Sequence, residues 1–198
     1  MYVVGVTGGI GSGKSTVSKI MEEKGAYVFD ADSVAKHLLS TNEQLRQDLI
    51  DEFQDDIIDD EGKIVNEKLA RTGFSNKLNQ EALNGIVHPY VLEAHEKAVD
   101  EIRQKESTDL YILDAPLLFE SGFDQRTDYT LLVYAHMKIR LNRSLKRGNL
   151  SRNEILRRMD LQMPEEEKLE LADFVIENNG TEDELREATL KVFSQITG

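Results

Sequence analysis

Five short runs of hydrophobic residues stand out along the chain, and segments with helical or turn patterns separate them. The runs cover residues 2–6, 26–30, 110–113, 129–134 and 172–177. They are rich in β-branched and aromatic residues at consecutive positions, which is typical of strands covered on both faces of a parallel sheet. Near the C-terminus, Thr181-x-x-Glu184 resembles a capping box, and Leu185, Ala188, Val192 and Ile196 after it form an apolar stripe at helical spacing. The pattern predicts an α/β protein with a doubly wound sheet.

The segment of residues 33–109 differs from an ordinary strand-to-strand connection, because it contains several helical patterns and no long strand. Helices are predicted at about residues 41–53, 66–72, 75–85 and 89–105, with Thr41, Asn66 and Ser75 as caps of the first three and Pro89 in the first turn of the fourth. We therefore predict a helical insert over residues 33–109, placed to cover an acceptor substrate. The chain of 198 residues is expected to form one domain that carries this insert.

The charge and composition of the chain limit the kinds of molecule that the protein is expected to bind. The chain has 37 acidic and 24 basic residues and a formal net charge of -13, which disfavours binding to nucleic acid or to anionic membranes. The absence of cysteine excludes disulfides and thiolate metal sites and fits a reducing compartment. The first strand begins at residue 2, which leaves no room for a signal peptide, and no apolar run approaches the length of a membrane span. We expect a cytoplasmic protein that acts on a small molecule.

A glycine-rich loop follows the first predicted strand and opens the first predicted helix. It matches the phosphate-binding pattern Gly8-x-x-x-x-Gly13-Lys14-Ser15, in which backbone N–H groups surround a polyphosphate. The alternative is a glycine-rich turn that happens to precede a lysine, but strand, loop and helix together favour the motif. The residues predicted to bind the nucleotide are Gly11, Ser12, Gly13, Lys14, Ser15 and Thr16. Lys14 would place its charge on the β- and γ-phosphates and Ser15 would bind Mg²⁺, so we predict a nucleoside triphosphate with Mg²⁺.

Acidic residues follow two of the predicted strands, at the sheet edge where open α/β proteins bind ligands. Asp32 lies just beyond the second strand and is either a functional carboxylate, as general base or magnesium ligand, or only the cap of the next helix. Asp114 ends the third strand and is predicted to orient Mg²⁺. The loop after it, residues 116–119, is apolar and forms either core or a pocket wall, which makes Leu117 and Phe119 candidate substrate contacts.

Residues 138–158 are strongly basic, with eight Lys or Arg residues and one acidic residue. Arg140, Arg143 and Arg147 share one helical face, where they can converge on a polyanion. The alternative is a solvated charged face, but such faces normally carry acidic partners for local pairing. We therefore favour a phosphate clamp.

Turn and capping signals divide this basic region into two short helices. Gly148 is expected to end the first helix, and Ser151-x-x-Glu154 resembles a capping box that starts the second. Two short helices joined by a flexible turn suit a lid, which we predict over residues 138–170. The lid would close over ATP, exclude water and bring an arginine to the transferring phosphoryl group.

Several stretches of the chain resemble the dephospho-CoA kinases, which perform the last step of coenzyme A synthesis. They are TGGIGSGKST at residues 7–16, DADSVAKHL from Asp30, HPYV from His88, DAPLLFESG from Asp114, RLNRSLKR from Arg140 and EEEKLELADFVIENNG from Glu165. The first stretch is common to many kinases, whereas the PLLFE and ADFVIEN stretches discriminate much more sharply. Together they span nearly the whole chain in the family's order.

The resemblance implies transfer of the ATP γ-phosphoryl group to the ribose 3′-hydroxyl of dephospho-CoA. It implies that Lys14 neutralises the phosphates, that Asp32 accepts the hydroxyl proton, and that Arg140 stabilises the transferring group from the lid. It also implies the strand order 2-3-1-4-5 of nucleoside monophosphate kinases. One departure is Met137, where many members of the family have Gln, and this puts a secondary lid contact in doubt.

The resemblance extends to the residues expected to bind the two substrates. In addition to the phosphate loop, ATP would contact Arg143, and its adenine would contact Asn178 and Gly180. Dephospho-CoA would contact Asp32, His88, Pro89, Tyr90, Leu117 and Phe119. We expect a monomer that uses ATP and Mg²⁺ and binds neither nucleic acid nor membrane.

Two other classes of function share the phosphate loop. A kinase for another small acceptor, such as a nucleoside or a sugar alcohol, would differ mainly in the helical insert. A GTP-dependent switch would be expected to carry Asn-Lys-x-Asp after a late strand. The nearest match, Asn76-Lys77-Leu78-Asn79, lacks the final Asp and lies far too early, which disfavours the switch.

Overall fold

The computed structural model describes all 198 residues as a five-stranded sheet with helices. The strands are β1 (Tyr2–Thr7), β2 (Tyr27–Asp30), β3 (Leu110–Asp114), β4 (Tyr129–Tyr134) and β5 (Phe174–Glu177). The helices are α1 (Lys14–Glu22), α2 (Ala31–Thr41), α3 (Glu43–Phe53), α4 (Asn66–Gly73), α5 (Lys77–Lys105), α6 (Met137–Arg147), α7 (Arg152–Asp160), α8 (Glu165–Leu171) and α9 (Glu182–Thr197). All five predicted strands are confirmed. None of the helices combines the length and the apolar character needed to cross a membrane.

The five strands are parallel and follow the order β2-β3-β1-β4-β5, which confirms the doubly wound fold and the strand order implied by the resemblance. In this order β1 lies at the centre, where both of its faces are covered. The register places Asp30 at the end of β2 opposite Asp114 at the end of β3. Since parallel strands share one carboxyl edge, the loop after β1 and these two carboxylates lie along the same edge of the sheet.

The main core joins the sheet to α1 and α9. Its buried residues are Val4, Val6, Val17, Met21, Ala26, Leu110, Ile112, Leu131, Val133, Ile176, Leu185, Val192 and Ile196. The strand residues alternate across the sheet, and the α9 residues repeat at helical spacing, so that each element turns one apolar face to the same interior. This core holds the carboxyl ends of the strands in place, and the functional loops follow from those ends.

The chain divides into two compact units. The first contains residues 1–31 and 95–198 and includes the whole sheet. The second contains residues 32–94 and has its own apolar cluster, formed by Leu45, Leu49, Phe53, Ile57, Leu69 and Leu83. The second unit is shorter than the predicted insert of residues 33–109, because the C-terminal part of α5 belongs to the first unit.

The prediction of two separate helices around residues 75–105 is wrong, because α5 runs without a break from Lys77 to Lys105 and contains Pro89 in its interior. Proline has no N–H to donate to the carbonyl four residues earlier, and its ring approaches that carbonyl, which normally ends a helix. Here the buried side chains of Leu83 and Val91 lie on either side of the proline. Their burial stabilises both halves of the helix more than the lost hydrogen bond destabilises it.

Three predicted helix caps are also wrong, while two are confirmed. Thr41 is the last residue of α2, and the side chain of Asn42 caps α3 by accepting a hydrogen bond of 3.0 Å from the N–H of Leu45. Asn66 lies inside the first turn of α4, and Asn76 rather than Ser75 accepts from the N–H of Asn79 at the start of α5. The capping boxes of α7 and α9 are present as predicted, at Ser151 with Glu154 and at Thr181 with Glu184.

Candidate functional site

The loop between β1 and α1 is shaped as a binding site for an anion. Gly11 and Gly13 have φ angles of 81° and 100°, in the left-handed region where a side chain would be strained. Gly13 is the N-cap of α1, and no side chain satisfies the first turn of that helix. The backbone N–H groups at a helix start have no acceptor within the helix and lie at the positive end of its dipole. Together with the exposed Ser15 and Thr16, they form a surface suited to phosphate oxygens.

Lys14 and Asp114, which were predicted to serve the phosphates and the metal, form an ion pair with each other. The second carboxylate oxygen of Asp114 accepts a hydrogen bond of 2.6 Å from the hydroxyl of Ser18 on α1. Asp114 is buried, so these two partners compensate its charge inside the protein. The structure therefore brings Lys14 of the phosphate-binding motif and Asp114 of β3 together at the carboxyl edge of the sheet.

Ser15 and Asp114 are the residues that fit a Mg²⁺ ion. Ser15 exposes its hydroxyl in the first turn of α1, and Asp114 supplies a carboxylate on the neighbouring strand. No group of three or more His, Cys, Asp or Glu side chains is placed to hold a metal ion. This donor set suits Mg²⁺, which typically takes one or two protein ligands and completes its shell with water and substrate phosphates.

Arg140 reaches the phosphate loop from α6. Its side chain is buried, and its Nη1 donates to Oε1 of Glu165 on α8 at 3.2 Å. The guanidinium and this carboxylate lie directly against Gly9, in the space that a Cβ atom at that position would need. The loop therefore needs glycine at this position so that the arginine can approach the phosphate site. The acidic partner of Arg140 thus comes from α8 and not from within residues 138–158.

Arg143 and Asn178 connect the same helix to the other side of the phosphate loop. Arg143 donates to the backbone carbonyl of Asn178 at 3.0 Å and to its side-chain oxygen at 3.2 Å. The side-chain amide of Asn178 in turn donates to the carbonyl of Ser12 at 2.7 Å. Both ends of the buried Asn178 side chain are thus engaged with the protein. In this structure Asn178 and Arg143 position the loop.

Gly180, the other predicted adenine contact, lies in the loop that leads from β5 into α9. A Cβ atom at this position would overlap the carboxylate of Glu184, which caps α9. The glycine thus leaves room for the capping box. Adenine contacts at this position would come from its backbone.

The predicted acceptor-binding residues His88, Pro89 and Tyr90 lie on α5 within the second unit. The hydroxyl of Tyr90 donates to Oδ2 of Asp48 at 2.6 Å, and Gln44 donates to the other oxygen of the same carboxylate at 2.8 Å. The bond from Tyr90 lowers the pKa of Asp48, and the same contact raises the pKa of Tyr90. The phenol ring of Tyr90 is thus fixed in one orientation.

Asp32 lies in the first turn of α2, where its side chain is exposed. This turn follows directly from β2, whose last residue Asp30 is opposite Asp114 in the sheet. A carboxylate in a first turn also interacts favourably with the helix dipole. The position of Asp32 is therefore compatible both with a functional carboxylate and with a residue that only caps α2.

The apolar loop after β3 is divided between core and surface. Leu118 is fully buried, and its side chain lies 2.7 Å from the position that a Cβ atom at Gly5 would take, so it fills space above the central strand. Leu117 and Phe119 on either side of it are only half-buried. The structure thus assigns Leu118 to the core and leaves its two neighbours accessible to a substrate.

Three polar residues of this site were missed in the sequence. Glu165 and Lys168 lie on α8, and Gln162 just before it accepts a hydrogen bond of 3.1 Å from the N–H of Ile10 in the phosphate loop. Burial raises the pKa of Glu165, while the charges of Arg140 and Lys168 act in the opposite direction. The acidic stretch that contains Glu165 and Lys168 has the pattern of an exposed helix. The only signal in the sequence is the spacing of three positions between them, which places both residues on one face of a helix.

Comparisons with known proteins place these features in a family. A model of the dephospho-CoA kinase family matches residues 2–184. A dephospho-CoA kinase of Fusobacterium nucleatum is 40% identical over 185 residues, which cover 93% of each chain. The crystal structure of TT1252 from Thermus thermophilus superposes with a TM-score of 0.81 and 36% identity, covering 100% of this chain and 98% of the other. A solved dephospho-CoA kinase of Campylobacter jejuni has a TM-score of 0.67 and 27% identity, and 98% and 96% of the two chains are covered.

Proposed function

The chain belongs to the dephospho-CoA kinase family, and from this premise we infer that its residues transfer the γ-phosphoryl group of ATP to dephospho-CoA, giving coenzyme A and ADP. The observation that carries this function is the match of the family model to residues 2–184, which include both the phosphate loop and the arginine that reaches it. The acceptor atom is the ribose 3′-hydroxyl. Its oxygen bonds to the γ-phosphorus, and the bond from that phosphorus to the bridging oxygen of ADP breaks.

The phosphates of ATP bind to the loop of residues 8–13 and to the first turn of α1. Lys14 exchanges the carboxylate of Asp114 for the β- and γ-phosphate oxygens, so that its charge stays paired throughout. Ser15 and Asp114 would hold the Mg²⁺ ion that accompanies ATP and that supplies charge stabilisation to the phosphates. The side-chain interactions of Asn178 keep the loop in this shape before ATP arrives.

Arg140 stabilises the charge that spreads over the phosphoryl oxygens during transfer. Its guanidinium is already against Gly9, so little reorganisation is needed when the γ-phosphate binds. Asp32 orients the 3′-hydroxyl and accepts its proton as the new bond forms. The lid is proposed to comprise residues 138–170, which carry Arg140, Arg143 and the helix of Glu165.

Further residues are proposed to bind the adenine of ATP and the acceptor. The adenine of ATP contacts the backbone around Asn178 and Gly180. Dephospho-CoA contacts His88, Pro89 and Tyr90 in the helical insert, and the half-buried Leu117 and Phe119 provide an apolar wall. The fixed orientation of Tyr90 supports a role in recognition, because an ordered side chain loses little entropy when a ligand binds.

We place the reaction in the cytoplasm and take the single chain as the working unit. The absence of cysteine supports a reducing compartment. Light scattering on the purified protein would measure its mass against the 22.5 kDa of one chain, and a stable dimer would contradict the assignment.

The activity is tested by mass spectrometry on a panel of acceptors incubated with ATP and Mg²⁺. The panel contains dephospho-CoA, adenosine and gluconate, which represent the acceptor classes that share the phosphate-loop chemistry. We expect a product from dephospho-CoA that is heavier by one phosphoryl group, and ADP in equal amount. Phosphorylation of adenosine or gluconate without any product from dephospho-CoA would contradict the proposed function.

A further inference from the structure

Helix α8 has an inverted pattern of burial. This helix of seven residues buries two charged residues, Glu165 at 8% and Lys168 at 0% exposure of the whole residue. It leaves two leucines exposed instead, Leu169 at 38% and Leu171 at 53%. Burying charge is costly and exposing leucine forgoes hydrophobic stabilisation, so hydrophobic burial does not explain this orientation. Departures of this kind are expected where a residue serves function.

The buried lysine anchors the helix to the segment that follows β3. The Nζ atom of Lys168 lies 2.9 Å from Oε1 of Glu120 and donates to the carbonyl of Pro116 at 3.4 Å. The same Glu120 oxygen accepts from the N–H of Met163 at 2.8 Å, just before the helix begins. The hydroxyl of Thr7 at the end of β1 also donates to the Pro116 carbonyl, at 3.2 Å. The start of α8 is therefore tied to the central strand of the sheet.

The glutamate projects from this anchored helix to the arginine. Arg140 Nη1 and Glu165 Oε1 are 3.2 Å apart, and both side chains are 9% exposed. The contact is a single hydrogen bond, because Nε of Arg140 and Oε2 of Glu165 are buried and make no hydrogen bond. The carboxylate thus orients the guanidinium through one N–H group and leaves the Nε–H of Arg140 without a hydrogen-bond partner, as expected of a guanidinium that is to bind a second anion.

We propose that Glu165 is a positioning residue for phosphoryl transfer, which holds the guanidinium of Arg140 against Gly9 of the phosphate loop. Lys168 and Glu120 fix the helix from which it acts. The inference rests on the proposed function, in which Arg140 stabilises the transferring group. Glu165 acts through Arg140 and does not itself touch the substrate.

A double-mutant cycle on turnover tests this role. Glu165→Gln keeps the size of the side chain and removes its charge, and Arg140→Ala removes the group on which it acts. We expect Glu165→Gln to lower kcat about 10-fold or more in the wild-type background, with KM for ATP changed less than about 3-fold. In the Arg140→Ala background the same change should lower kcat by less than about 2-fold. The matched control is Glu166→Gln, the same charge change at an exposed position of the same helix, and kcat should be unchanged.

Unchanged kcat in Glu165→Gln, or an equal fold loss in both backgrounds, would overturn the proposal, since an effect independent of Arg140 is a general structural one. Thermal melting checks that the variants are folded. If Glu165→Gln does not fold, the cycle is run with Glu165→Asp, which keeps the charge and withdraws it by one methylene, and the same two outcomes decide. If the wild type phosphorylates another acceptor of the panel and not dephospho-CoA, the proposed function fails, and the cycle is measured with that acceptor.

Discussion

At the scale of the residue, the charged side chains of the site are paired with one another. Lys14 pairs with Asp114, and Arg140 pairs with Glu165. Each pair compensates charges that are buried or nearly so, and leaving one partner alone would be costly. In the proposed function, each cation would exchange a protein carboxylate for a phosphate oxygen of ATP or add one to it. Such a preorganised site needs little reorganisation during the reaction.

The carboxylate of Asp32 provides a test at this scale. Replacing Asp32 by Asn removes the proton acceptor while keeping the size of the side chain, so kcat with dephospho-CoA should fall about 100-fold. The dissociation constant for ATP should change less than about 3-fold, because Asp32 is assigned to the acceptor hydroxyl and not to the nucleotide. Steady-state kinetics and calorimetric titration with ATP measure the two quantities. Asp60→Asn in an exposed turn makes the same charge change and should alter neither.

A comparable loss of ATP affinity and of turnover in Asp32→Asn would contradict this role. It would indicate that the carboxylate serves binding or structure, including the alternative that it only caps α2.

At the scale of the element, helix ends decide where functional groups lie. Helix α1 begins at Lys14, and its N-cap Gly13 has no side chain to cap the first turn, which suits the binding of an anion there. Helix α9 instead begins with a complete capping box at Thr181 and Glu184, and then buries its apolar stripe against the sheet. The hydrogen bonds from Thr181 hold the pKa of the Glu184 carboxyl below its usual value. The first turns of the two helices thus differ: that of α1 has no side-chain cap, which suits an anion site, and that of α9 is fully capped, which suits a helix that supports the core.

The cap of α9 predicts a loss of stability. In Thr181→Ala the N–H of Glu184 loses its acceptor, and the free energy of unfolding should fall by about 1 kcal/mol. Urea unfolding followed by circular dichroism measures the change. The control is Thr197→Ala in the last turn, where the hydroxyl only donates to the carbonyl of Phe193 and no N–H loses a partner. Equal effects at the two ends would contradict the role assigned to the capping box.

At the scale of the whole molecule, charge is distributed unevenly. The net charge is -13, yet residues 138–158 carry eight basic residues and one acidic residue. Two arginines of this segment lie at the phosphate loop. Arg140 lies against Gly9 and pairs with Glu165, and Arg143 donates to Asn178, which in turn binds Ser12. The acidic remainder of the surface disfavours large polyanions, while the concentrated basic residues still attract a small one. The charge distribution is therefore compatible with the proposed nucleotide site.

The stability of the first unit should depend on pH through one buried histidine. His95 is 2% exposed, its Nδ1 lies 3.1 Å from the hydroxyl of Tyr111, and its ring packs edge-on against Phe29. Burial, with a smaller contribution from Arg126, lowers the pKa of His95 from 6.5 to about 4. Because the folded pKa is below the unfolded one, the unfolded chain binds an extra proton between these values. The stabilisation is complete above pH 6.5 and is lost as the pH falls towards 4.

Urea unfolding at pH 7.5 and pH 5.0 measures this dependence. The wild type should lose about 2 kcal/mol more between the two pH values than His95→Gln, which does not titrate. The comparison cancels the carboxylates that titrate in both proteins. Equal losses in the two proteins would show that His95 contributes nothing to the pH dependence.

Much of the fold could be predicted because its signals are local. The strands follow from runs of apolar residues, and the capping boxes at Ser151 and Thr181 span only four positions each. The phosphate loop was recognised for the same reason, since its glycines, lysine and serine are adjacent. The failures occurred where tertiary contacts outweigh local preference, as at Pro89, which lies inside a continuous helix despite the rule that predicts a break.

The sequence by itself determined the phosphate loop, the five strands and the family, because each depends on the identity and short-range spacing of residues. Only the tertiary structure decided how the site is supported. Asn178 reaches Ser12 across 166 positions, and Arg140 finds its acidic partner 25 positions away. No local pattern encodes such pairs, because they form only when the parallel strands bring their carboxyl ends to one edge. The buried charges of α8 are of the same kind, since a helix shows which residues share a face but not what that face will meet.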